Sequence, residues 1–322
     1  MLRRDVMILA GLAGLAAARG ASAADAFPNR PVRLIIPFPP GGSADPIGRI
    51  LASALDKHLG QNTIVENRSG AGGVIGTDAV AKATADGYTI GLVGVGSMTV
   101  SPHLLPDMPY NVARDLAPVA QVVGVPQLLA CSKKLGASSL AEVVAKAKPG
   151  TLTYASSGNG TSPHLAMASL ALRSGMELIH VPYRGVAPAI TDLMAGRVDL
   201  MFADLPAMVG PARDGGIKAL AVGSAERSAV LPDLPTVDEA GIRGVDVENW
   251  YGVIAPAATP ADRIARLQTG ILAALAESEA RKRLTDLGVR IVGSDAATFS
   301  AMLKRESEKW AALIREAKIT IE

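Results

Sequence analysis

Three turns rich in glycine and hydroxyl side chains stand where this chain could grip a negatively charged group. Pro39-Pro40-Gly41-Gly42-Ser43-Ala44-Asp45 follows a β-branched apolar run, Ser156-Ser157-Gly158-Asn159-Gly160-Thr161 follows another, and Gly94-Val95-Gly96-Ser97-Met98-Thr99 a third. At a strand-to-helix turn the first N–H groups of the helix have no intrahelical acceptor, and the helix dipole adds partial positive charge. Glycine lets a ligand come close to the main chain. Pro40, Gly41, Gly42, Ser43, Asp45, Gly96, Ser97, Ser157, Gly158, Gly160 and Thr161 are therefore candidate ligand-binding residues, with Asp45 also placed to cap a helix starting at Pro46. Any one turn alone is explained by a plain chain reversal. Two facing each other would make a site.

Catalytic signatures are missing from the chain. It holds no G-x-S-x-G, no H-E-x-x-H and no G-x-x-x-x-G-K-[ST]. Gly70-Ala71-Gly72-Gly73-Val74-Ile75-Gly76 looks dinucleotide-like, but its glycine spacing does not fit G-x-G-x-x-G. His58, His103, His164 and His180 are scattered without metal-ligand spacing, and Cys131 stands alone, so neither a disulfide within the chain nor a cysteine metal cluster can form. No catalytic residue, metal site or cofactor is expected. His164 beside Ser157 is the one pair that a hydrolytic reading could use.

The first residues read as a secretory leader: Arg3-Arg4, an apolar stretch from Val6 to Ala18 too short to span a bilayer, then Ala21-Ser22-Ala23 with cleavage near Ala23. Leu2-Arg3-Arg4-Asp5-Val6-Met7 is compatible with twin-arginine export and equally with general secretion. No cysteine near the cut offers a lipid anchor, so a freely soluble periplasmic protein is expected. Of 32 basic and 30 acidic residues, the leader carries Arg3, Arg4, Arg19 and Asp5, which leaves the mature chain formally neutral. That balance, with no Lys/Arg run, leaves no footprint for nucleic acid or an anionic membrane.

Strand-length apolar runs alternate with helical stripes, which predicts an α/β fold of βα units on largely parallel sheets. Strands are predicted at 32–38, 63–66, 88–94, 152–155, 178–181, 199–203 and 217–222. A capping box, Thr259-Pro260-Ala261-Asp262 with proline at the first helical position, opens one helix, and another runs from about Asp295 with Phe299, Met302, Leu303, Trp310 and Leu313 inward. About 300 residues exceed one usual core, so two domains are expected. Val119–Ala130 and Val245–Ile254 are candidate crossing strands. Crossing at both makes the middle of the chain one lobe: residues 124–248, against 27–123 plus 249–322.

Pro37 to Asp45, Val65-Glu66-Asn67-Arg68-Ser69-Gly70-Ala71-Gly72-Gly73, Ser156 to Leu165, His180-Val181-Pro182-Tyr183-Arg184-Gly185 and Leu231-Pro232-Asp233-Leu234-Pro235-Thr236 together resemble the Bug family, the substrate-binding proteins of tripartite tricarboxylate transporters. The resemblance covers essentially the whole mature chain. It implies a two-lobe periplasmic-binding-protein (Venus flytrap) fold, type II-like, and a monomer that hands a small carboxylate to integral membrane subunits. It adds Phe38, His164, Tyr183 and Gly185 to the expected site. In Phe202-Ala203-Asp204-Leu205 the chain departs from the Asp-then-Asn of many relatives. Ala203 brings no hydrogen-bonding side chain there, and Asp204 either reaches a ligand hydroxyl or amine or caps the Pro206 segment. Arg184 either pairs with a second carboxylate or faces solvent.

Charge-assisted hydrogen bonds contribute about 1.5–3 kcal/mol each, so four or five donors suffice for micromolar binding without a cationic side chain. On this reading, alanine at Asp45 or Thr161 weakens carboxylate binding. A sensor that passes lobe closure to a signalling protein and a cleft hydrolase are the alternatives.

Overall fold

The computed structural model describes residues 27–320, so the leader at 1–23 lies outside it. The strands are β1 Val32–Ile36, β2 Thr63–Asn67, β3 Thr89–Gly94, β4 Leu116–Val125, β5 Gln127–Cys131, β6 Leu152–Ser156, β7 Leu178–Pro182, β8 Leu200–Asp204, β9 Lys218–Val222, β10 Asn249–Pro256 and β11 Arg290–Ile291. The longer helices are α1 Ala44–Leu59, α2 Val74–Ala81, α3 Leu140–Lys146, α4 Ser162–Ser174, α5 Val186–Met194, α6 Leu205–Arg213, α7 Ala261–Ala276, α8 Ser278–Asp286 and α9 Ala296–Glu316. A π-turn, Gly96–Val100, follows β3.

Two sheets result, ordered β11-β4-β10-β3-β1-β2 and β7-β6-β8-β5-β9. They are mixed rather than mostly parallel. β1 pairs in parallel with β2 and β3, as β6 does with β7 and β8, but β10 runs antiparallel to β3 and β4, and β5 antiparallel to β8 and β9. The reversal follows from the connections. A strand that enters a lobe from the other lobe starts at the cleft and must run away from it, whereas the βα strands end there. The run read as one crossing strand is split by Pro126, with β4 in the first sheet and β5 in the second.

The inner βα strands β3 and β8 are buried on both faces, as helices on each side of a sheet require, whereas the edge strands β2 and β7 leave Ile64 and Ile179 exposed. Leu34, Ile36, Ile90 and Leu92 pack against Ile47, Leu51 and Leu55 of α1 and Leu267 and Ile271 of α7. A second apolar cluster is shared by the lobes, with Trp310 and Phe299 of α9 in the same cluster as Leu165 and Met167 of α4 and Phe202 of β8. Asp295 caps α9 by accepting from Thr298 N–H at 2.7 Å. The other caps differ from their sequence patterns. Ser43 rather than Asp45 holds the N-cap of α1, without a side-chain bond, and Pro260 holds that of α7 while the buried Thr259 hydroxyl has no partner among the described residues.

Candidate functional site

The carboxyl ends of β1, β3, β6, β7 and β8 converge on a cavity of about 730 Å³ between the sheets. Its wall includes Ser43 and Ala44 at the start of α1, Gly73 before α2, Gly96 at the π-turn, Thr161 and Ser162 at α4, Gly185 and Val186 at α5, and Asp204 before α6. Helix N-termini from both lobes therefore point at one space. Their unpaired first-turn N–H groups and dipoles make it favourable for negative oxygen atoms. Phe38, Val95 and Pro188 supply apolar wall.

Of the residues nominated from sequence, Phe38, Pro40, Gly42, Ser43, Gly96, Ser157, Gly158, Thr161, Tyr183, Gly185 and Asp204 line the cavity. Gly41, Asp45, Ser97, Gly160, His164 and Ala203 do not, each for a local reason. The carboxylate of Asp45 accepts from Arg49 Nε at 2.9 Å and Asn67 Nδ2 at 3.0 Å, and Asn67 Nδ2 also donates to the Phe38 carbonyl, so Asp45 braces the first turn from outside. Ser97 is turned inward: its hydroxyl bonds Thr77 and its carbonyl accepts from the Tyr110 hydroxyl at 2.7 Å. Ala203 sits within the second sheet, paired with Leu128. Gly41 lies instead at the seam between the lobes, where a Cβ on it would stand 3.6 Å from Ala187 Cβ.

In the second turn part of the donor set is used internally. Gly158 N–H donates to Ser156 Oγ, Gly160 N–H to His164 Nδ1 at 3.2 Å, and Thr161 N–H to the Gly158 carbonyl. The pairing imagined between Ser157 and His164 is replaced by Ser156 Oγ against His180 Nε2 at 2.7 Å. The His164 and His180 rings stack at 4.1 Å, and Tyr154 stacks on His180 at 4.7 Å. Burial holds His164 down at about 4; burial, then the charge on His164, holds His180 at about 3. Both rings are neutral at physiological pH and serve as a prop beneath the turn.

The wall also contains residues that sequence reasoning left out. Ser69 to Gly73 carry part of the family resemblance without being expected in the site, and Asn249 and Tyr251 of β10 carry no local motif. These last two reach Asp204 across the lobe boundary. Asn249 Nδ2 donates to both carboxylate oxygens at 3.0 Å, the Tyr251 hydroxyl donates at 2.8 Å, and Gln127 Nε2 donates at 3.4 Å. Asp204 does not cap α6, for its side chain makes no cap bond there. Burial raises its pKa above the usual carboxylate range against the pull of Tyr251, Asn249, Gln127 and Ser43. Arg184 lies on the exposed rim.

The lobes touch around the cavity. A Cβ on Gly72 would stand 2.9 Å from the Asn159 carbonyl, one on Gly96 3.1 Å from the Gly160 carbonyl, and one on Gly185 3.0 Å from Pro39 Cγ. Bare backbone is what allows this closeness.

A model of the tripartite tricarboxylate transporter family receptor matches residues 47–319. Protein BugT of Bordetella pertussis is 38% identical over 296 residues, 91% of each chain. Among solved structures, that of Rhodopseudomonas palustris Rpa4515 with adipate superposes with a TM-score of 0.88 at 34% identity, covering 91% of this chain and 99% of its own. MatC from the same organism, with bound malate, gives 0.84 at 31% identity over 89% and 100%.

Proposed function

This chain belongs to the tripartite tricarboxylate transporter receptor family, and from that premise we propose that it captures a small carboxylate in the periplasm and presents its closed form to the integral membrane subunits of such a transporter. The observation that carries the reading is the single cavity on which helix N-termini from both lobes converge. Carboxylate oxygens there would meet the first-turn N–H groups of α1, α4 and α5, with the Ser157 hydroxyl and the Tyr183 turn beside them, while the Thr161 hydroxyl donates to the Gly158 carbonyl at 2.7 Å and holds the second turn in shape. Because donors come from both lobes, the ligand binds the closed arrangement better than any open one and shifts the population by that difference. No bond is made or broken. The relatives solved with adipate and malate are consistent with a carboxylate. Lobe one is assigned to residues 27–123 with 249–322, lobe two to 124–248; the sheet change at Pro126 lies within three residues of the first boundary.

Thermal denaturation of the purified protein with a panel of mono- and dicarboxylic acids tests this. A binder present at 100 times its Kd stabilises by about 2.7 kcal/mol, so at least one acid is expected to raise Tm by several degrees. Thr161→Ala, which removes the hydroxyl that ties the second turn to the Gly158 carbonyl, is expected to weaken that acid by about tenfold. A panel in which no acid moves Tm would defeat the carboxylate reading.

A further inference from the structure

We infer that the ligand carries an ammonium group as well as a carboxylate, with the ammonium seated against Asp204 at the cavity floor. The inference rests on the carboxylate reading and deepens it. Asp204 is 8% exposed, yet it lines the cavity, and every group that bonds it is neutral: Asn249, Tyr251, Gln127 and Ser43. No cation among the described residues pairs with it. A buried carboxylate is normally matched by a positive partner or a metal ion, because desolvating a lone charge is expensive. The surrounding donors favour the ionised form but burial outweighs them, so what would hold the charge is a positive partner, and the one open direction is the cavity.

Beside it the Ser43 hydroxyl also lines the cavity, is buried, and stands where its proton can go to Asp204, which leaves its oxygen without a donor of its own. An ammonium has three donors and no acceptor. One would meet Asp204, another the Ser43 oxygen. Only one other charged residue lines the cavity, Arg184 on its exposed rim. The lining is therefore dipolar, with helix N-termini and a rim cation for the carboxylate and a floor anion for the ammonium. A purely anionic ligand would set a second negative charge against Asp204.

Matched pairs of acids that differ by the ammonium test this by calorimetry: aspartate and succinate, glutamate and glutarate, leucine and 4-methylpentanoate, phenylalanine and 3-phenylpropanoate. In at least one pair the ammonium-bearing acid is expected to bind wild-type protein tenfold or more tightly than its partner, and Asp204→Asn is expected to abolish that preference. The wild-type comparison decides even where Asp204→Asn does not fold. If the ammonium-free acids bind as well or better in every pair, or the preference survives in Asp204→Asn, the inference fails while the carboxylate reading stands. If no acid of either kind binds, both fall.

Discussion

His164 and His180 turn the second anion-binding turn into a pH-sensitive support. His164 is buried and His180 half-buried, and both are neutral, with pKa values of about 4 and about 3 against an ordinary value of 6.5. A depressed pKa means that the unfolded chain takes up protons first as pH falls. The stability they contribute is complete above pH 6.5 and is lost progressively between there and about pH 4. For His164 alone the loss by pH 4 is about 3 kcal/mol. Urea denaturation from pH 7 to 4 is expected to show this decline, and His164→Asn with His180→Gln to flatten it; an equal slope in the double variant would refute the assignment. Asp204 gives a second pH dependence with its own sign. Its neighbours are Asn249 and Tyr251 on β10, Gln127 on β5 and Ser43 before α1, none of them cationic. With its pKa raised by burial, affinity for an ammonium-bearing acid is expected to fall as pH drops through that value, and calorimetry from pH 8 to 5 would register it. At this scale the sequence was only partly legible. The turns at 39–43 and 157–161 announce themselves by composition, but Asn249 and Tyr251 reach Asp204 through a strand 45 residues distant in the chain. Asp45 and Ser97 have the right chemistry and point the wrong way.

Among the elements, the βα units were readable because a buried strand followed by a glycine turn and an amphipathic stripe has few other solutions. The reversed directions of β5 and β10 were not readable. Apolar alternation carries no direction, and only the route between lobes fixes it. Nor does a capping pattern reveal whether the cap forms, as Ser43 and Pro260 show at α1 and α7. The glycine turns carry a sharper consequence. Gly72 has φ of +63° and abuts the Asn159 carbonyl of the opposite lobe, whereas Gly60, at φ of +72°, caps α1 with nothing nearby. Alanine at either position strains the backbone by about 1–2 kcal/mol. Only Gly72→Ala also pushes the lobes apart. It is expected to weaken ligand binding by about tenfold, while Gly60→Ala lowers Tm comparably and leaves affinity unchanged. Equal affinities in the two variants would mean that the 70–73 turn plays no part in closure.

For the whole molecule, the contacts of Gly41 with Ala187, Gly185 with Pro39 and Gly72 with Asn159 place the lobes in a closed arrangement around the cavity. With these edges so close, capture is expected to require opening. The seam itself offers the means to test this. A Cβ at position 41 would lie 3.6 Å from Ala187 Cβ, inside the roughly 3.5–4.5 Å that a disulfide spans. Cys131, the chain's single cysteine, is buried and would not compete. Gly41→Cys with Ala187→Cys should therefore form a bridge, at a strain of about 1–3 kcal/mol from the positive φ at position 41. Oxidised without ligand, the double variant is expected to take up no carboxylate; oxidised with ligand present, it should retain the acid through dialysis. Reduction should restore exchange in both cases. Native mass spectrometry would follow the bound acid directly. If the oxidised protein loads and releases ligand as fast as the reduced form, then access does not depend on separation of these two edges, and the lobes do not work as a trap.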